Sequence, residues 1–234
     1  MASMTAAERP RAAPSLALRV LRDGFVVAMT ALVIVGVALL PLLTPWAMHA
    51  ALDLADSAAW LGMERTAVHV VSDWTVDELL FGPGTWQAPG PDGLPLFDAS
   101  EVQHLRDVRQ LLWLTYVMAS LALLAVLVIL ERSADGDQVM AAVGLGGALV
   151  AVTVVIAAIV GVVAFDPLFE LFHRVFFPQG DWAFDPGSQR LVQLYPFRFW
   201  QIMAAALGVL MVLLGIAAWL GARWALARRR RPAW

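Results

Sequence analysis

Polar and apolar positions along this chain segregate into long blocks instead of alternating with a short period. Four stretches, Gly24 to Leu43, Leu111 to Leu130, Val139 to Val163 and Ile202 to Leu220, contain no Asp, Glu, Lys, Arg or His. Each is about as long as the roughly 20 helical residues that cross a hydrocarbon core. A segment in lipid must also satisfy its backbone hydrogen bonds internally, which a helix does. The pattern therefore predicts an all-α membrane protein with four transmembrane helices: a tail 1–23, spans 24–43, 111–130, 139–163 and 202–220, a turn 131–138 and a basic tail 221–234. The remaining segments, 44–110 and 164–201, should build a small cap on one side. The first span follows Arg19 and Arg22 as a signal peptide would, but it is too long for an ordinary signal and lacks a small-residue cleavage site, so it is expected to stay as an anchor.

Within the cap, Thr66 to Val71 alternates as a brief strand would. Thr75 with Glu78 and Ser100 with Gln103 have capping-box spacing, the first opening a short helix that Gly82-Pro83 should stop, the second a helix from about Glu101 into the second span. Eight of the 14 residues from Gly82 to Pro95 are Gly or Pro, which reads as an irregular loop. Small residues on the third span (Gly144, Ala148, Ala151, Ala157, Gly161) and the fourth (Ala204, Gly208, Gly215) would allow close helix packing.

Composition and charge narrow the picture. The chain is 60% hydrophobic and has no cysteine, which excludes disulfides, thiolate nucleophiles and Cys-based metal sites. Ten basic residues fall on the side of the termini and six on the cap side, so the positive-inside rule makes both termini cytoplasmic and the cap extracytoplasmic. Arg228 to Arg231 then reads as a topology signal, and segment 44–110, with 10 acidic residues against 3 Arg, should not seek nucleic acid. Trp46, Trp113 and Trp200 at one end of the spans, and Trp219 and Trp224 at the other, fit interfacial aromatic belts. Spans without ionisable groups argue against a pump or transporter and offer no histidine for a haem inside the bundle. Chemistry is therefore expected at the boundary between cap and membrane.

Two histidines lie there. His104 is just above the second span, with Glu101 and Asp107 three residues to either side. His173 follows the third span on a segment where Asp166 suits a helix cap and Pro167 the first helical position, with Phe169, Glu170 and Phe176 at helical spacing from it. A carboxylate beside each imidazole would fix its tautomer. His49 and His69 are expected to serve packing or the surface.

The blocks Glu101-x-x-His104-x-x-Asp107-Val108 and Phe165-Asp166-x-Leu168-Phe169-x-x-Phe172-His173, followed by Trp182, Asp185-Pro186, Leu191 and Pro196, resemble the two signature blocks of the bacterial lipoprotein intramolecular transacylase (Lit) family. The chain departs from that pattern near Gln189 and at Phe197, where the family has acidic residues. The resemblance implies four spans, an outer cap and two essential histidines. It also implies a reaction that moves the sn-2 acyl chain of a diacylglyceryl-cysteine lipoprotein onto the cysteine's own α-amino group. Its partners would be diacylated bacterial lipoproteins and membrane lipid in the cytoplasmic membrane. His104 and His173 are then the catalytic candidates, one to deprotonate the amine and the other to stabilise or protonate the intermediate's oxygens. Asp107, Glu101, Asp166 and Arg174 are supporting candidates. Ester aminolysis is downhill, so no cofactor is expected. The alternatives are a non-catalytic scaffold or lipid-binding protein and a metal-dependent outer-face hydrolase, although no HExxH-like metal spacing occurs.

Overall fold

The computed structural model describes residues 15–87, 90, 93, 95–180 and 182–230. Most of the first tail, with Arg9 and Arg11, part of the Gly/Pro loop, and Arg231 lie outside the described residues. Among the described residues, eight helices follow one another: α1 (Leu16–Leu42), α2 (Pro45–Leu54), α3 (Ser57–Leu61), α4 (Arg65–Leu80), α5 (Ala99–Arg132), α6 (Gly136–Phe176), α7 (Arg190–Leu194) and α8 (Phe197–Arg229). Helices α1, α5, α6 and α8 carry the four apolar runs and are long enough to cross a membrane, making this a multi-pass membrane protein.

The expected strand at Thr66 to Val71 is instead the first half of α4. Its alternation is incidental. The residues α4 buries are Val68, Ser72, Thr75, Val76 and Leu79, a helical spacing that includes two polar side chains. Thr75 does not open a helix either; it lies inside α4 and donates its hydroxyl to the Val71 carbonyl (2.8 Å). Glu78 reaches forward from the end of α4, accepting from the backbone N–H groups of Gly84 (2.7 Å) and Thr85 (3.2 Å).

Small residues set the spacing of the bundle. A Cβ built on Gly147 would lie 2.5 Å from the Gly215 carbonyl oxygen and 2.8 Å from the Ala218 Cβ, so α6 and α8 run almost backbone to backbone. Gly146 faces Thr30 and the Val27 carbonyl on α1, and Gly36 of α1 abuts Ala119 of α5. Of the small residues expected to mediate packing, Gly144, Ala151 and Gly215 do so, whereas Gly161 has only the Leu168 side chain near it. Helix α1 thus sits between α5 and the α6–α8 pair, and α5 meets α6 at few positions. On the side of the termini, Arg22 binds Asp23 (2.8 Å) and Gln138 (3.1 Å), and Arg229 binds Asp137 (3.1 Å).

Opposite the termini, the chain turns at once from α1 into α2, with the Thr44 hydroxyl on the Pro41 carbonyl (2.7 Å) and Pro45 opening the new helix. Helices α2, α3, α4 and α7 and the near ends of α5 and α8 share one hydrophobic core containing Leu52, Val68, Trp86, Phe97, Leu105 and Phe199. Both α5 and α8 therefore run unbroken from the membrane span into this cap, which holds residues above the apolar stretch 111–130 in rigid helix.

Candidate active site at the junction of α5 and α6

Helix α5 starts two residues earlier than Ser100 suggests. Asp98 is the N-cap, accepting from the backbone N–H groups of Ser100 (2.8 Å) and Glu101 (3.0 Å), while Glu101 accepts from the Asp98 N–H (2.7 Å). Asp98 also takes a hydrogen bond from Gln189 (2.9 Å). Glu101, 1% exposed, spends its other oxygen on the Leu191 N–H (2.6 Å) and so pins α7 to the start of α5. Burial pushes its carboxyl pKa up. Glu101 is thus a structural clamp that makes no bond to His104.

Helix α6 is 41 residues long, with non-helical backbone at Ala164 (φ −138°, ψ 38°). Pro167 accounts for the break: it lacks an N–H for the carbonyl four residues earlier, and its ring crowds that carbonyl. The expected helix start at Asp166 is therefore displaced. The break falls at Ala164, and Asp166 is an exposed residue within the helix that resumes. That second half brings His173 to His104 of α5, while Phe169 meets Phe197 and Trp200 of α8.

His104, from α5, and His173, from the end of α6, are each 8% exposed, and their ring centroids lie 6.0 Å apart with planes inclined at 26°. Both stand beyond the apolar runs 111–130 and 139–163. Aromatic rings wall them in: Phe177 (4.8 Å) and Phe184 (5.4 Å) beside His104, and Phe169 (4.2 Å) and Trp182 (4.9 Å) beside His173. Burial, then the neighbouring His173, push the His104 pKa down to about 4, and Asp107 opposes them. Burial also lowers that of His173, against the raising effect of its bond to Phe169.

The two rings differ in their hydrogen bonds. His173 Nδ1 lies 2.8 Å from the Phe169 carbonyl. A carbonyl can only accept, so Nδ1 carries the proton and the Nε2 lone pair is available. His104 Nδ1 is buried without any hydrogen-bond partner. An orphaned polar atom of this kind is costly, and here it sits beside the second histidine in an apolar chamber.

The supporting candidates are placed differently from expectation. Asp107 bonds neither imidazole; it accepts from Gln103 (3.2 Å) and from Gln179 (2.6 Å), tying the segment after α6 to α5. Arg174 is exposed and pairs with Glu170 (2.6 Å), one helical turn away, so neither approaches the histidines through that bond. Gln179 carries no sequence signal, since its partner is 72 residues away. Among the described residues, no three His, Asp or Glu side chains are grouped to hold a metal. His49 and His69 form a separate parallel stack (4.0 Å, 5°), bonded to Asp73 (2.8 Å) and Asp53 (2.9 Å), which clamps α2 against α4.

An uncharacterized protein from Aquifex aeolicus (strain VF5) is 30% identical over 129 residues, 53% of this chain and 56% of that protein, so the chain spans little more than half the length of the curated relative it matches. The in meso structure of the membrane integral lipoprotein intramolecular transacylase Lit from Bacillus cereus superposes with a TM-score of 0.71 at 18% identity, covering 92% of this chain and 99% of that one. A variant of that protein with a histidine replaced by arginine gives 0.68, also at 18% identity, over 92% and 94% of the two chains. At this identity the likeness establishes the four-helix membrane fold. Residues 78–200, which contain both histidines and the helices that carry them, match the family described as lipoprotein intramolecular transacylase Lit, and the chain belongs to that family.

Proposed function

We propose that the protein is a lipoprotein intramolecular transacylase that uses His173 as general base and His104 as hydrogen-bond donor to the oxyanion. The observation that carries this reading is the difference between the two imidazoles. The Phe169 carbonyl holds the proton on His173 Nδ1, which leaves Nε2 to accept one from an amine. His104, held neutral by burial, is a poor base; its Nδ1 has no protein partner, so the tautomer protonated there has an N–H to give the oxyanion.

The reacting molecule is a lipoprotein whose N-terminal cysteine bears a diacylglyceryl group and a free α-amine. The amine nitrogen attacks the carbonyl carbon of the sn-2 ester, forming a C–N bond and giving its proton to His173 Nε2. The negative charge that develops on the carbonyl oxygen is met by His104. Collapse of the tetrahedral intermediate breaks the C–O bond, and the proton on His173 passes to the departing sn-2 oxygen. The products are an amide on the cysteine and a free sn-2 hydroxyl. Atoms and protons balance without water or a cofactor. Both reacting groups are part of one molecule, so the site's work is to hold them close and exclude water. The aromatic walls around the histidines suit that task. In the cell the cap would face outward and both termini the cytoplasm, with the site at the extracytoplasmic boundary of the cytoplasmic membrane.

The test is mass spectrometry of the N-terminal peptide of a reporter lipoprotein, expressed in a host without N-acylation, with the wild-type protein, His104→Ala or His173→Ala. The expected result is a lyso peptide with one acyl chain on the amine for wild type and a diacyl peptide for both variants. An unchanged diacyl peptide with folded, membrane-inserted wild type would overturn the assignment. A lyso peptide that persists in either variant would overturn the role given to that histidine.

A further inference from the structure

A second cavity, of about 620 Å³, opens between the cap-side ends of α1 and α5 beneath α4. Leu40, Leu43, Trp113 and Tyr116 supply much of its apolar wall, and Asp73 and Asp77 of α4 line it on the cap side. It is separate from the histidine pair. Trp113 is nine residues beyond His104 on α5, which at 3.6 residues per turn places it about 180° around the helix. Its volume lies within the range of ligand sites, and its few polar groups sit at one end, as in sites that orient an amphiphile.

We propose that this cavity binds a phospholipid with a primary-amine headgroup from the leaflet on the cap side. The depth of the walls supports a lipid: Leu40 and Leu43 end the first apolar run, and Trp113 and Tyr116 begin the second, so the cavity straddles the edge of the hydrocarbon. The charge selects the headgroup. Both charged residues of the lining are carboxylates, and no Lys or Arg is among them. Asp73 accepts one hydrogen bond, from His49 to Oδ1, and the Asp77 side chain makes neither a hydrogen bond nor an ion pair among the described residues. An ammonium would find free carboxylate oxygens there, whereas an anionic headgroup would meet like charge. A diacylated lipoprotein also carries a primary amine, but this cavity lies on the far face of α5 from the histidines. The inference does not depend on the reaction assigned to them.

The experiment is native mass spectrometry of the full chain released from nanodiscs containing equal amounts of dioleoyl phosphatidylethanolamine and dioleoyl phosphatidylglycerol. The wild type should retain the amine lipid about fivefold more than the glycerol lipid, the ratio that one partly exposed ion pair supports. Asp73→Asn/Asp77→Asn should equalise the two, and His104→Ala/His173→Ala should leave the ratio unchanged. Because Asp73 also bonds His49, Leu40→Trp provides a second variant that fills the apolar wall and leaves that bond intact. It should remove the preference while helicity stays at the wild-type value. Equal retention by the wild type, or a preference that survives in both cavity variants, overturns the proposal. Displacement of the amine phospholipid by a diacylglyceryl-cysteine peptide at equal concentration would overturn the choice of a phospholipid.

Discussion

Asp107 of α5 accepts a 2.6 Å hydrogen bond from the side-chain amide of Gln179, three residues after the end of α6. The bond ties the segment that follows His173 to the helix that carries His104, and so sets the distance between the rings without touching either. Replacing Asp107 or Gln179 with alanine is expected to lower transacylation about tenfold, because small misplacements of a reacting group are costly. Stability should change by less than about 1 kcal/mol, since the bond is exposed to solvent. The double variant should be little worse than either single one, and steady-state formation of the lyso peptide by the three variants checks this.

The pH dependence follows from two depressed imidazoles. Free histidine titrates near 6.5, while His104 is lowered to about 4 and His173 moves the same way. Between about pH 6.5 and 4 the unfolded chain takes up protons that the folded chain refuses. Stability is therefore full above about pH 6.5 and falls as the pH drops toward 4, with a slope limited to about 1.4 kcal/mol per unit for each histidine. Thermal unfolding in detergent across this range should show the decline, and His104→Phe should make it shallower. Activity should persist at pH 6, where an unperturbed imidazole would be largely protonated.

Glu101 predicts a loss of stability ahead of any direct effect on chemistry. Its carboxylate accepts from two backbone N–H groups, those of Asp98 and Leu191, in a fully buried setting. Glu101→Ala should cost roughly 2–4 kcal/mol, about the penalty for orphaning two buried donors. Glu101→Gln, whose amide oxygen can still accept, should recover part of it. Unfolding midpoints of the purified variants decide the point.

Gly147 tests the bundle. Any side chain there meets the Gly215 carbonyl and the backbone N–H of Trp219, neither of which can swing aside. Gly147→Leu should destabilise by about 1–3 kcal/mol or more through overpacking, visible as a lower unfolding midpoint. The same change at Gly161, where only a leucine methyl is near, should be tolerated.

Pro167 tests the break in α6. His173 stands nine residues beyond Ala164, roughly 13 Å along the helix axis, so straightening by about 10° would swing it by roughly 2 Å. Pro167→Ala should therefore reduce transacylation by at least about tenfold while raising helix content and leaving insertion intact. Activity assays with circular dichroism would separate this from unfolding.

The spans were legible because exclusion of charge over twenty residues has one physical meaning in lipid. The meeting of His104 with His173 was legible for a related reason: both stand just beyond spans whose ends must lie on the same side. Their surroundings were not. Spacing puts Glu101 within a turn of His104, but it cannot tell that the carboxylate is already committed to Leu191, 90 residues away. Alternation in Thr66 to Val71 suggests a strand, and that window stops short of Ser72 and Thr75, whose polar character hides the helical stripe they complete. They are buried, with Thr75 bonded to its own helix and Ser72 to the Tyr195 hydroxyl (3.2 Å). The break at Ala164 lies three residues from the proline that causes it, so a motif centred on Asp166-Pro167 marks the cause and misses the place.

The sparse contact between α5 and α6 bears on how the protein meets its substrate. With α1 between α5 and the α6–α8 pair, α5 and α6 pack together at few positions, and a flank open between them would meet the acyl chains of the bilayer directly. A lipid-anchored molecule approaching there need not withdraw its chains into water and can diffuse in and out within the plane of the membrane. The concentration that governs turnover is then a surface density. Diluting the proteoliposomes in buffer should leave the rate per vesicle unchanged, whereas diluting the substrate with inert lipid should lower it.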